Sequence, residues 1–557
     1  MLCAILVAMK TKQGNLHLEI QTSSKNPVGL LRTTFRDKGK IKHQQHGRIT
    51  GCTLEQLKLL QLSFREKVIP IDDPGALKIL QSREWGASKA LSELAKQIGL
   101  PQLLYSRSQP WLKSAMAMIV GRLIYPGSKL SLCKQHKNTG LWEISGIEGS
   151  PDVDEHCYPV MDQLLKRQKS IQKKLAKKHL NSHHMVLYDI TSVYFEGDYE
   201  DSELVRFGYN RDRKKGKEQV VVGLICNDEG CPVGIEVFAG NTKDETTVLD
   251  KIKEVKTDYQ LEQVIFVGDR GMVTQSNLEA LQGDNDIKTI SALTHSDMQN
   301  LISRQVIQPD LFDETLSNEV FDPQVPEKRY CLCRNEGSAI RESKTRERLI
   351  ELTVGGLETI ANYQRKTSVE KLGARVGKVL AQYKVGKFFD WSIKSAEDAL
   401  SRSHRLVWTL KNEKIVAEKR LDGCYIISTD VAPEQMNTRQ VVATYKSLNY
   451  VEQAFRTMKT THLHVRPVYH KIDRRIRGHL FLCMLSYYLQ WHMRQRLQPL
   501  FKADGEHKNR EWTIQSVIQC LSQLTRNKVS MGEAVFYRNS MPTEEQQQIL
   551  SLLGVSV

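Results

Sequence analysis

No CxxC pair occurs among the eleven cysteines, and Cys331-x-Cys333 stands alone. Scattered thiols of odd number argue against a disulfide framework or a zinc ribbon and suit a reducing compartment. No apolar run approaches the roughly 20 residues that span a bilayer. The longest, Leu480–Leu489, is interrupted by Ser486 and holds two tyrosines. The opening MLCAILVAM is apolar but has no basic flank before it. An N-terminal strand, or a true start at Met9, is expected there rather than a signal peptide. There is no internal repeat and no long low-complexity stretch. With 40% hydrophobic and 26% charged residues, the chain is not disordered, collagenous or coiled-coil. Its 557 residues suit several domains or one heavily elaborated enzyme.

What is present in excess is positive charge. Eighty Lys and Arg against 64 Asp and Glu give +16, and the excess is concentrated. Residues 1–50 carry +7, residues 161–180 carry +6 and residues 451–500 carry +7, so the remainder is slightly acidic. Concentrated positive charge fits a polyanion partner, although solvated lysine faces would give the same count.

Organisation follows from periodicity and turn chemistry. Residues 1–50 read as a basic β-hairpin region, with LHLEI and GLLRTTF as strands around Asn26-Pro27. Residues 51–180 read as mainly helical and DNA-binding. A capping box at Thr53-x-x-Gln56 opens one helix, others fall at 87–98, 110–123 and 129–137, and a last one runs from Asp154 into LLKRQKSIQKKLAKKH. The pattern then changes. MVLYDITSVYFEG is a strand, and KEQVVVGLICNDEGCPVGIEVFAG is a hairpin closed by Asn227-Asp228-Glu229-Gly230. DETTVLDKIKEV has helical spacing, QVIFVGDRGM is a short buried strand, a helix follows near 273–282, and IKTISAL is a strand. This order predicts an α/β core over 181–299. Residues 300–435 read as an insertion with its own β-rich part, 436–497 as the second part of the core, with one long helix over 440–460, and 498–557 as a helical tail.

Three acids stand out. Asp189 lies inside an apolar strand and Asp269 ends another. Ionised carboxylates are costly to bury without a cation, so two of them in one sheet can converge on a divalent metal. Each taken alone is as well explained by a turn cap or a pair with a neighbour such as Arg270. Glu452 lies on the expected helix, with Tyr445 and Lys459 seven residues to either side and Arg456 one turn on. A surface Glu–Arg pair is the simpler account of Glu452 by itself.

Together these residues resemble a known family. Tyr445, Glu452 and Lys459 are similar to the Y-x2-R-x3-E-x6-K signature of bacterial insertion-sequence transposases of the DDE class, except that Leu448 stands where the signature has Arg. YDITSVYFEG resembles that family's first-Asp motif and VGDRGM its second. VEQAFRTMKT, HVRPVYH and RIRGHLFLCML resemble the branch with a long insertion before the Glu. The resemblance implies a ribonuclease-H-like mixed-sheet core interrupted by the insertion, with a mainly helical N-terminal region. It implies Asp189, Asp269 and Glu452 as catalytic metal ligands for Mg²⁺, with Mn²⁺ as a substitute. Hard cations of this kind take oxygen ligands and serve both ends of a phosphodiester displacement.

It also implies Tyr445 and Lys459 as DNA contacts near the cut. Arg466, His470, Arg474, Arg475 and Arg477 are expected at phosphates, and Arg456 is a candidate for the charge missing at Leu448. The basic loop Asn210–Lys217, and Trp391, Trp408 and Tyr425 as base-stacking groups, have weaker claims, since such aromatics are more often core. His183 and His184 read as ordinary surface histidines. The implied partners are double-stranded DNA, as element ends and target, and a second copy in a DNA-assembled dimer. No membrane association is expected, and the implied location is the bacterial cytoplasm, at the nucleoid. The competing readings are a metal-dependent nuclease of the same fold that does not join strands, a catalytically inactive DNA-binding relative, and a ribonuclease acting on RNA–DNA hybrids.

Overall fold

In a computed structural model, the described residues are 16–22, 26–37, 39–66, 77–180, 185–209, 211, 214, 216–242, 256–259, 261–270, 286–312, 318–363, 367–395, 404–461, 463–466, 468–503, 512–531 and 534–557. The helices expected over DETTVLDKIKEV and near 273–282, His183, His184 and half of the basic loop 210–217 lie outside them. The chain divides into two compact units. One comprises Met1–Arg167, Thr460–Val465 and Arg474–Val557, and the other Gln168–Lys459 and Arg466–Asp473.

The first unit begins with β1 (Leu16–Gln21), β2 (Val28–Asp37) and β3 (Lys40–Ile49), each antiparallel to the next. The expected hairpin therefore has a third strand. KIKHQQHGRI is polar and mostly exposed, so it carries no alternating apolar signal. The helix Leu54–Glu66 starts at the expected capping box: Thr53 N–H donates to Gln56 Oε1 at 2.9 Å, and Gln56 N–H to Thr53 Oγ1 at 3.2 Å. Its Leu57 packs where a Cβ on Gly29 would otherwise lie, beside buried Leu18. The region 51–180 is not helical throughout, because β4 (Leu77–Glu84) precedes the helices Gly86–Gln97, Pro110–Ile124 and Lys129–Lys134. The helix expected from Asp154 is three pieces, Val153–His156, Tyr158–Lys166 and Gln168–His179, the last belonging to the second unit.

The second unit is built on one eight-stranded sheet. β5 (Met185–Tyr194) is antiparallel to β6 (Gln219–Cys226), which is antiparallel to β7 (Pro232–Ala239). The turn after β6 is the one expected, with Gly230 at φ +80° and Asn227 Oδ1 accepting from the Glu229 and Cys231 amides. On its other side β5 runs parallel to β8 (Val264–Gly268), and β8 parallel to β9 (Ile287–Ala292). All residues of β6 and β8 are buried, as covered parallel and central strands require.

The segment 300–435 departs from the expectation of a separate β-rich part. β10 (Asn318–Asp322) and β11 (Val325–Arg334) extend the same sheet through β14 (Cys424–Thr429), in the order β10-β11-β14-β9-β8-β5-β6-β7. Only β12 (Phe389–Ser395) and β13 (His404–Leu410) form their own ribbon. That ribbon packs with the helices Glu336–Ala361 and Val369–Tyr383 around Leu357, Val376, Phe388, Phe389 and Leu406.

The chain returns to the first unit in the helix Asp473–Arg496, whose Ser486 Oγ donates to the Ile119 carbonyl at 3.1 Å. The expected helical tail contains a hairpin, β15 (Thr525–Met531) and β16 (Ala534–Asn539), and β4 pairs with β15. β15 is mostly polar, and β4 leaves its Leu77, Ile79 and Leu80 exposed, so neither strand shows the apolar face of a covered one.

Candidate active site

Asp189 sits mid-way along β5, half-buried, and Asp269 follows the last residue of β8 in an exposed position. Because β5 and β8 are parallel neighbours, with Tyr188 opposite Gly268, the two acids leave adjacent strands at the same level. Glu452 is exposed on the helix Leu448–Arg456, whose opposite face buries Leu448, Val451, Ala454 and Phe455. This amphipathic face packs against β5 and aims Glu452 away from the core.

The electrostatics tie the three acids together. Burial pushes the Asp189 carboxyl up to about 7, and the negative charges of Asp269 and Glu452 push it the same way. The Ile190 amide, donating to Asp189 Oδ1 at 2.7 Å, and the Arg211 guanidinium oppose the shift. Asp269 Oδ1 accepts from the Arg270 amide at 2.6 Å and from Tyr445 Oη at 3.4 Å. Burial and the Asp269 charge raise the Tyr445 phenol well above its usual value, so it serves as a neutral donor.

A cavity of about 770 Å³ adjoins this corner, lined among others by Arg270, Tyr425, Tyr445, Asn335, Glu342 and Arg346. The donor set is wholly carboxylate oxygen, which suits a hard divalent cation. The raised proton affinity of Asp189 comes first from its burial and only then from the charges of Asp269 and Glu452. The acids are nevertheless not drawn into one coordination sphere. Among the described residues, no group of three His, Cys, Asp or Glu stands close enough to hold a metal ion.

The single helix expected over 440–460 is Thr438–Lys446 and Leu448–Arg456 joined at Ser447, followed by a π-helical stretch Thr457–Thr461. A π turn holds more residues than an α turn, so Lys459 is rotated out of the seven-residue register that linked it to Glu452. Lys459 is half-buried and Arg456 exposed. Leu448 is 7% exposed, a core residue rather than a position facing the acids.

The other cations separate by unit. In the second, the Arg466 guanidinium covers the Tyr194 ring at 4.2 Å and His470 is half-buried. In the first, Arg474 stands 3.5 Å from Asp162, Arg475 stacks over Tyr158 at 4.1 Å, and Arg477 is half-buried. Of the aromatics, Trp391 and Trp408 face each other across the β12–β13 ribbon and Trp408 packs on Phe389, whereas Tyr425 lines the cavity. Sequence reasoning passed over Arg211 as an individual residue, treating it only as part of a basic loop. It also passed over the exposed pair Phe207 and Tyr209. Their signal was two aromatics flanking a glycine immediately before that loop.

A profile described as the transposase DDE domain matches residues 182–489, more than half of the chain. No curated protein matches the sequence. Among solved structures, the piggyBac transposase synaptic complex with hairpin DNA is similar at 8% identity over 78% of this chain and 76% of that one, with a TM-score of 0.34. The Mos1 transposase paired-end complex with left transposon end is similar at 12% identity over 42% and 67%, with a TM-score of 0.14. At such TM-scores these likenesses decide nothing about fold or site. Among the described residues no helix is long and apolar enough to cross a membrane.

Proposed function

The chain belongs to the family of the transposase DDE domain, and from that membership we propose that it binds the ends of an insertion sequence, cleaves DNA there and transfers the 3′-hydroxyl ends into target DNA. The observation that carries this reading is geometric: Asp189 and Asp269 stand level on the parallel neighbours β5 and β8, and Glu452 lies on the helix packed against β5. The strand order β7-β6-β5-β8-β9, three antiparallel strands and then two parallel ones, supports a ribonuclease-H-like core. On this reading the segment 300–435 is an insertion that lengthens the sheet beyond β9.

Asp189, Asp269 and Glu452 are the residues that would hold Mg²⁺ or Mn²⁺. When bound, such ions lower the pKa of a water or hydroxyl nucleophile and stabilise charge on the leaving oxygen. The residues of the chain do the rest. Tyr445 donates to Asp269 and holds that carboxylate in place. The Ile190 amide fixes one Asp189 oxygen. Arg456, Lys459, Arg466 and His470, and separately Arg474, Arg475 and Arg477, supply cations for phosphates, which give affinity and salt dependence without choosing sequence. The partner is double-stranded DNA, with a second copy joining on the DNA and no membrane involved; the location is the bacterial nucleoid.

The test is incubation of the purified chain with DNA spanning the flanks of its own coding sequence and a supercoiled target plasmid, with and without Mg²⁺. Joined products that need the metal support the transposase. Nicks without joining leave a nuclease of the same fold, and binding without nicks an inactive relative.

A further inference from the structure

The segment Tyr199–Tyr209 is pinned along its length, yet it holds two large aromatic side chains out in water. Tyr199 Oη donates to the Val468 carbonyl at 3.1 Å. Asp473 accepts from Ser202 Oγ at 2.5 Å and from the Glu203 and Leu204 amides at 2.9 and 3.2 Å. Arg206 and Gln219 exchange backbone hydrogen bonds. The fully buried Gln219 side chain donates to the Tyr209 carbonyl at 3.0 Å and the Gly240 carbonyl at 2.9 Å. A Cβ at Gly208 would lie 2.0 Å from the Gly240 oxygen, so only glycine allows this approach.

Between these anchors Phe207 is 64% and Tyr209 83% exposed. The segment they are tied to carries a third exposed ring, Tyr469 at 67%. Cations interleave with the rings: Arg466 over Tyr194, half-buried His470 and exposed Lys471. The loop then leads to the acids. The Arg211 amide donates to Ser192 Oγ on β5 at 3.1 Å, and the Arg211 charge acts on Asp189.

A pinned backbone that leaves most of each ring in solvent buries little apolar area in the free protein, so packing accounts poorly for them. Flat apolar faces alternating with cations match a chain that offers an aromatic face and an anion in every unit. We propose that Phe207, Tyr209 and Tyr469, with Arg466 and Lys471, form a stacking surface for unpaired nucleotides of a DNA strand entering the Asp189 site. An intact duplex hides its base faces in its own stack and offers these rings only its backbone, so the surface reads strand opening rather than sequence. This inference rests on the DNA-processing reading above.

The test uses the full chain and two fluorescent probes, a blunt duplex and the same duplex with a short single-stranded tail, titrated at one salt concentration. The tail should raise wild-type affinity, by roughly five- to a hundredfold for each base that stacks. Phe207→Ala, Tyr209→Ala and Tyr469→Ala should each lose much of that gain, with blunt-duplex affinity unchanged. Tyr209→Phe and Tyr469→Phe should keep it. Equal loss on both probes, or no preference for the tail in the wild type, overturns the proposal. So does sedimentation showing that the alanine variants lose self-association, because the rings would then pack against a second copy. Blunt-duplex binding without tail preference removes the stacking surface alone; binding to neither probe removes the transposase reading with it.

Discussion

Asp189 in the second unit and Lys129 in the first are both drawn out of water, and burial pushes each toward its neutral form. Their surroundings differ. Lys129 is 5% exposed and enclosed by Cys133, Cys157, Cys483, His479 and Arg122, with Nζ 3.3 Å from His479 Nδ1. His479 in turn is hydrogen-bonded to the Val465 carbonyl at 3.2 Å, and Arg122 donates to the Gly127 and His464 carbonyls. Each also has neighbours of its own sign: the cation beside Lys129, Arg122, is buried with it and donates to backbone carbonyls, whereas Asp269 and Glu452, the acids acting on Asp189, stand at exposed positions. A charge enclosed together with the groups that act on it belongs to a core. A recessed charge whose neighbours of like sign are exposed shares its field with solvent, and perturbed acids of that kind gather at functional sites.

The sharpest break of this comparison is Asp189→Asn. Strand cleavage should fall by roughly a thousandfold or more, as for an essential catalytic group, while affinity for DNA holds. Its stability should move with pH as well. The folded pKa of about 7 lies above the ordinary aspartate value of 3.8. Over that window the folded chain keeps a proton that the unfolded chain releases, so stability is fully present below about pH 4 and declines as pH rises through 7. In metal-free buffer Asp189→Asn should match the wild type near pH 4 and exceed it near pH 8 by roughly 2–4 kcal/mol. Denaturant titrations at the two pH values check this. A variant that cuts at the wild-type rate would return Asp189 to the same class as Lys129.

Leu448→Arg places an enclosed charge on the very helix that carries Glu452. With Leu448 buried against the sheet, the substitution should cost roughly 3–5 kcal/mol. Restoring the family signature there should not raise the nicking rate. Arg456→Lys, at an exposed position, should leave the melting temperature unchanged. An unchanged melting temperature for Leu448→Arg would mean that residue 448 reaches the site after all.

The same contrast explains what the sequence disclosed. β5, β6, β8 and β9 are apolar because they are covered on both faces, so their order and the placing of Asp189 and Asp269 were legible. β3 and β15 are mostly polar, β4 exposes Leu77, Ile79 and Leu80 and pairs with β15, far along the chain, and β16 is short, so no clear buried face announced them. The joint at Ser447 and the π-helical stretch after Arg456 were equally hidden, since a seven-residue spacing presumes the unbroken helix it is used to infer. Lys129 looked like any solvated lysine, because only the fold brings His479 and three thiols to it.

The smallest expected effect tests the enclosed charge. Lys129 has a folded pKa of about 8, below the ordinary lysine value of 10.5. Between those values the unfolded chain binds the proton more readily, so stability rises with pH over that window, and the penalty of the buried charge is complete below pH 8. Lys129→Met removes the penalty but leaves His479 Nδ1 without this partner, an offset of roughly 1–3 kcal/mol that does not depend on Lys129 titration. The net change near pH 7 should therefore be small, within about 2 kcal/mol in either direction. Its pH dependence is the diagnostic. Relative to wild type, the variant should lose ground steadily from pH 8 to 10.5, and strand cleavage at pH 7 should stay near the wild-type rate. Chemical denaturation across that range, run beside Asp189→Asn, should show one variant losing ground to wild type as pH rises and the other gaining it, at opposite ends of the scale. A Lys129→Met difference that stays flat would mean the ammonium is solvated, and the contrast between an enclosed and an open charge would lose one of its two terms.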